Sequence, residues 1–146
     1  MSGFDIVRPE DRVTRGGREV IPEHRQPLFS PGELDSRISY CFPRRPGTDG
    51  TRGLELFEAH FDPDTVVESH AHTQDEVLFV TAGELIAGAQ HCGPGTAIYI
   101  EANTLYGFRT GPDGCSFLNF HPSGSAFLTR SAWSEQRDAA RTTQEQ

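Results

Sequence analysis

Eight short runs rich in β-branched and aromatic residues occupy the middle of the chain, most of them set off by turn-forming residues. They are RISYCF (37–42), GLELFEAHF (53–61), TVVESHAH (65–72), EVLFVTA (76–82), ELIAGAQ (84–90), TAIYIE (96–101), LYGFRT (105–110) and CSFLNF (115–120). The breakers are PGTDG, DPD, AGE, GPG and GPDG. Runs of this length bounded by Gly, Pro and Asp read as strands and tight connections, because these residues supply the backbone angles that turns need. No helical period competes with them. The pattern predicts an antiparallel all-β fold, a sandwich or a small barrel. A barrel of this size can enclose one small ligand.

A chain of 146 residues suits one domain with a real core and no need of disulfide staples. Residues 1–36, rich in Arg, Pro, Glu and Gly, read as an irregular N-terminal arm with room for one edge strand. Residues 37–130 carry the barrel. Residues 131–146 form a polar C-terminal tail without an apolar stripe, expected as one helical turn or a frayed end.

Composition narrows the function classes. The formal net charge is -8, from 13 basic against 21 acidic side chains, so a phosphate backbone is repelled and nucleic acid is not an expected partner. All 13 basic residues are arginine, which removes lysine Schiff-base and lysine general-base chemistry. Cys41, Cys92 and Cys115 are odd in number and lack CxxC spacing, as expected of free thiols in a reducing cytoplasm. The charged start MSGFDIVRPEDR is not a secretory signal pattern, and the apolar runs are too short to span a bilayer, so no membrane partner is expected.

The stretch SHAHTQDEV (69–77) carries the chemistry. Residues i and i+2 of a strand share a face, so His70 and His72 project side by side. If residues 73–75 turn the chain, Glu76 opens the next antiparallel strand opposite them. Two imidazoles and one carboxylate then converge, an arrangement that leaves coordination positions open for water or substrate. The donor set suits one divalent metal ion, Fe or Zn first, with Mn, Ni, Co and Cu also compatible. The plain alternative is a pair of solvated histidines at a strand end.

His70, His72, Glu76 and Gly83 reproduce the first cupin motif: HxH, three residues, Glu, six residues, Gly. Asp64 stands where that motif opens with Gly, and Asp also visits left-handed turn conformations. The second motif is degraded over residues 95–110. Gly95 fits, but Glu101 replaces Pro, Asn103 replaces Gly, Tyr106 replaces the metal-binding His, and Thr110 replaces Asn. The chain thus resembles a small single-domain cupin over residues 53–121. The resemblance implies a conical, jelly-roll-like β-barrel of two packed antiparallel sheets, often a homodimer, with the site inside.

Three substitutes for the missing ligand are open. His70, His72 and Glu76 can act alone with waters. Tyr106 can bind as a phenolate, or donate a hydrogen bond as the catalytic acid/base. His121, at the end of the last barrel strand, can turn inward; some cupins resembling aromatic polyketide cyclases carry a histidine at a similar place. His24, His60 and His91 read as arm, rim and turn residues. Glu101 is either an exposed strand-end charge or a second carboxylate at the pocket mouth.

Aromatic residues are concentrated in the strands, and Arg109 is the main cation there, out of phase with Tyr106. A mostly apolar cavity and a neutral, apolar or aromatic small-molecule substrate follow. The expected function is a metal-dependent enzyme, either a dioxygenase or an isomerase/cyclase. The alternatives are a non-catalytic small-molecule-binding or sensor cupin and a barrel without metal.

Overall fold

The structure, a computed structural model, describes residues 3–42 and 53–144. The PGTDG turn lies outside the described residues. Nine strands form one connected antiparallel sheet among the described residues: β1 (Val13–Gly16), β2 (Arg37–Phe42), β3 (Leu54–Phe61), β4 (Val66–His72), β5 (Glu76–Ala87), β6 (Gln90–Cys92), β7 (Ala97–Ile100), β8 (Tyr106–Pro122) and β9 (Phe127–Thr129). The path β1-β2-β3-β8-β4-β9 carries β5 alongside β8, and β5 in turn carries β6 and β7. The sheet folds over on itself without hydrogen-bonded closure, and the all-β expectation holds.

Two expected breaks do not end strands. AGE lies inside β5 and GPDG inside β8. The ladder between these strands slips between Val80 and Ala82 and again between Gly83 and Leu85. Such bulges bend a strand without reversing it, so β8 serves both halves of the barrel. Its first part pairs with β4 (Val67↔Phe108) and its last part with β3 (Ala59↔Phe117). Gly83 (φ 70) and Gly114 (φ 78) occupy the bend in the left-handed region. A Cβ on Gly83 would lie 2.1 Å from the Gly114 carbonyl oxygen, and one on Gly114 would lie 2.5 Å from that of Phe61. Three backbones therefore meet where only glycine fits.

Cross-strand partners share a face, which sorts the interior. Leu78 opposes Asn119, Val80 opposes Phe117, and Leu85 opposes Thr110. Leu78, Val80 and Leu85 are essentially inaccessible, each contributing roughly 1.5–3 kcal/mol of apolar burial. Phe61, Phe108 and Phe117 close the floor, with ring centroids 5.8–6.0 Å apart. Thr110 is buried as well. Its hydroxyl accepts from the Thr65 amide (2.9 Å) and donates to the Asp62 carbonyl (2.7 Å), stapling the DPD turn in which Asp64 sits at φ 55.

The arm is more ordered than its composition implies. β1 is an edge strand on β2, followed by α1 (Gly17–Val20), a 3-10 turn (Glu23–Leu28) and α2 (Pro31–Leu34). The polar tail is a helix, α3 (Arg130–Gln144), rather than one turn. Tertiary contact sets it, the Trp133 indole N–H donating to the Asn103 carbonyl (2.8 Å), and within the helix Arg137 stacks over the Trp133 ring. His91, read as a turn residue, lies in the short strand β6 and pairs with Glu84 at 2.9 Å. Among the described residues no helix is long and apolar enough to cross a membrane. Cys41, Cys92 and Cys115 are free thiols; burial pushes Cys115 up to about 11.

Gly83→Ala is expected to destabilise the protein by about 2–3 kcal/mol, from strain plus a backbone clash. Gly88→Ala, at φ 59 with open space around it, is expected to cost only about 1 kcal/mol. Chemical denaturation midpoints of the two variants check the difference.

Candidate metal centre

The site forms where β4 ends and β5 begins, but not on a hairpin. β4 pairs with β8 and β9, whereas β5 pairs with β6, β7 and β8. Residues 73–75 cross the open end of the barrel. The crossing is tied down by the Asn103 amide on the His72 carbonyl (2.7 Å), the Ala102 amide on the Asp75 carboxylate (2.7 Å), and the Tyr99 hydroxyl on that same carboxylate. Asn103 stands at φ 63, the turn role expected where the motif has Gly.

His70, His72, Glu76 and Tyr106 are brought together. The rings of His70 and His72 lie 5.1 Å apart, edge to face, and His70 lies 4.5 Å from Tyr106. Glu76 is 2% exposed. Its Oε1 accepts a 2.5 Å hydrogen bond from the Tyr106 hydroxyl and lies 3.8 Å from His72 Nε2. Its Oε2 accepts from Asn119 Nδ2 at 3.0 Å.

Protonation follows from this geometry. His70 Nδ1 is 2.8 Å from the Glu68 carbonyl, so Nδ1 carries the proton and Nε2 keeps a free lone pair. Burial lowers the pKa of His70 and of His72, favouring neutral rings. Burial first, then the Glu76 charge, pushes the Tyr106 pKa far up. Tyr106 is thus a protonated donor to Glu76.

Two neutral imidazoles and a carboxylate are donors a divalent ion accepts. Asn119 Oδ1, on the side chain that holds Glu76, is a buried acceptor with no hydrogen-bond partner among the described residues. The residues therefore fit an ion in chemistry. They do not converge as a finished cage: among the described residues no group of three or more His, Cys, Asp or Glu side chains stands ready to hold a metal.

His121 lies at the edge of this centre. It faces inward, as its strand parity with Phe117 and Asn119 allows, and its charge would oppose protonation of His72. Its Nδ1, however, contacts the Pro122 carbonyl (2.9 Å) and the Glu55 carboxylate (3.5 Å). His60 is engaged elsewhere, between Ser39 and Ser116.

Two residues at the centre carry no motif signal. Asn119 lies opposite Leu78 on the inward face of β8, a placement fixed by the pairing register. Phe127 stacks on His70 at 4.9 Å and meets His72 edge-on at 5.5 Å, from a three-residue strand with no pattern of its own.

Beside Tyr106 opens a cavity of about 400 Å³. Leu78, Leu85, Ile98, Ile100 and Phe108 form its apolar wall, and Glu101, Thr104 and Tyr106 supply polar groups. Glu101 lines this cavity and is also an exposed charge just beyond the end of β7, so both expected placements describe it. Arg109 points outward and is exposed.

No protein-family profile matches the chain, and no curated protein matches it in sequence. Solved structures do match. A polyketide cyclase, RemF from Streptomyces resistomycificus, superposes with a TM-score of 0.64 at 22% identity, covering 87% of this chain and 85% of that one. An RmlC-like cupin from Ralstonia eutropha gives 0.61 at 17% identity, covering 94% and 84%. A second, from Shewanella frigidimarina, gives 0.55 at 13%, covering 84% and 91%. The chain has the cupin fold, as the first motif implied.

Tyr106→Phe leaves Glu76 Oε1 buried without its donor. It is expected to lower stability by about 1–3 kcal/mol, seen as a reduced urea midpoint with an unchanged slope.

Proposed function

We propose that this protein is a metal-dependent small-molecule enzyme acting on an apolar or aromatic substrate in the barrel, as an isomerase or cyclase. The observation that carries the reading is Tyr106, which lines the apolar cavity and behind that wall donates to Glu76, a carboxylate grouped with two neutral imidazoles. His70, His72 and Glu76 would hold the ion, with His121 behind them. A bound divalent ion would polarise a substrate carbonyl.

The chain's own groups do the rest. The apolar wall orients a flat or greasy substrate and excludes water from it. Tyr106 Oη offers its proton to a substrate oxygen on which charge develops. The hydroxyl has a single proton, which rests on Glu76 Oε1 at 2.5 Å and turns from there to the substrate oxygen, while Asn119 fixes the other carboxylate oxygen. Proton relocation next to a carbonyl is the chemistry of isomerisation and of ring closure. The likeness to a polyketide cyclase supports this arm over the dioxygenase.

A non-catalytic binding module is the second reading, favoured by Tyr106 standing where cupins place a ligand. On the outer face, Val77 opposes both Tyr99 and Phe120, while Phe79 opposes Leu118. Phe79, Tyr99 and Phe120 are exposed. This apolar surface supports the homodimer expected of the fold.

Plasma mass spectrometry on tag-free protein tests the reading. About one equivalent of metal is expected in the parent and none in His70→Ala/His72→Ala. Turnover of aromatic carbonyl substrates is expected to persist under strict anaerobiosis. No metal in either protein, with no uptake on reconstitution, would favour the binding module. Dependence on O2 would restore the dioxygenase.

A further inference from the structure

Among the described residues, the outer edge of β4 faces no strand over residues 66–68. β9 covers this edge only from His70 to His72. The backbone groups exposed there need partners, and α2 of the N-terminal arm supplies them from side chains. The Ser30 hydroxyl donates to the Val66 carbonyl. Glu33 Oε1 accepts from the Glu68 amide at 3.2 Å, and from the Ser30 amide at 3.1 Å within its own capping box. Glu33 is 7% exposed, unusual for a glutamate in so short a helix. Around it the fit is tight: a Cβ on Gly32 would lie 2.5 Å from the Thr65 side chain, and one on Gly17 would lie 2.4 Å from the Glu33 carbonyl.

Residue 68 is also the one whose carbonyl accepts from His70 Nδ1. It lies within the irregular part of the β4–β8 ladder, between Val67 and His70. A strand at an irregularity is not held in orientation by that ladder. Glu33 holds it instead, gripping the amide of the residue whose carbonyl sets the His70 proton. The arm reaches His70 a second time through Phe29, which stacks on Phe127 at 5.6 Å while Phe127 stacks on His70.

We infer that Glu33 is a positioning residue for the candidate centre: its carboxylate fixes the backbone at Glu68 and thereby the orientation and Nδ1–H tautomer of His70. The purpose of that tautomer, a free Nε2 toward an ion, rests on the proposed metal-dependent function. The positioning itself does not.

The test reads the His70 ring directly, in metal-free protein at about pH 8, above an ordinary imidazole pKa. Long-range proton–nitrogen correlation spectra assign the tautomer. The parent is expected to show Nδ1–H alone and a Glu68 amide that exchanges slowly with deuterium. Glu33→Ala and Glu33→Asp, which lack an acceptor at the right reach, are expected to populate the Nε2–H tautomer as well. Glu33→Gln, which keeps a carbonyl oxygen there, is expected to retain the parent pattern. Zn(II) affinity is expected to fall about tenfold or more in the Ala and Asp variants and to stay within about twofold of the parent in Gln.

An Nε2–H tautomer or an unprotected Glu68 amide in the parent overturns the inference without any variant, so it is decided even if the shortened variants do not fold. So does an unchanged His70 spectrum in Glu33→Ala or Glu33→Asp, or a Gln variant that behaves like Ala. A parent that binds no zinc yet shows the expected tautomer pattern across the series overturns the metal reading and leaves the role of Glu33 standing.

Discussion

Glu76 places a carboxylate at 2% exposure inside an apolar barrel, a position that costs several kcal/mol unless the charge is partnered. Tyr106 and Asn119 partner it, one on each oxygen, from opposite ends of the same strand β8. That strand can reach both because it bends at the bulges and at Gly114 instead of ending at GPDG. The buried carboxylate, the bent strand and the cavity beside Tyr106 are thus one arrangement. Straightening β8 would withdraw one of the two donors.

Replacing the motif histidine by Tyr106 has a physical consequence here. A histidine would offer a lone pair toward the centre. The tyrosine, kept protonated by burial and by the neighbouring carboxylate, offers a proton to Glu76 instead. At this position a hydrogen-bond donor stands where the motif places an ion ligand. The proposed acid–base role of the cavity rests on this exchange of a ligand for a donor. The arm adds the outer wall, where α2 stands in for a strand along β4 and Phe29 backs Phe127.

Much of this was legible in the residues. Most strand runs were read with near-correct bounds because alternation and turn residues act locally, but ELIAGAQ spans the end of β5, the Gly88–Ala89 turn and the first residue of β6. RISYCF is β2 from end to end, and Asp64 and Asn103 take the left-handed conformations their chemistry allows. The misreadings share a cause. AGE and GPDG look like turns because glycine permits either a reversal or a bulge, and only the pairing partner decides. The β4–β5 hairpin was inferred from chain proximity, yet residues 73–75 cross to a different part of the sheet. The tail lacked an apolar stripe, but one indole N–H on Asn103 and packing against β4 and β9 were enough to dock a helix.

The sequence by itself determined the all-β class, the grouping of His70, His72 and Glu76, and the replacement of the motif histidine by Tyr106. Each rests on short-range spacing, where strand geometry sets which side chains share a face. Only the tertiary structure decided that Tyr106 donates to Glu76, that Asn119 and Phe127 pack against the candidate centre, and that Glu33 bonds the edge of β4. Those contacts join residues 30 to 57 positions apart, or bring a polar arm onto a strand edge. Nothing local in a chain marks which distant residue will fill a vacant hydrogen bond; the folded path of the backbone does.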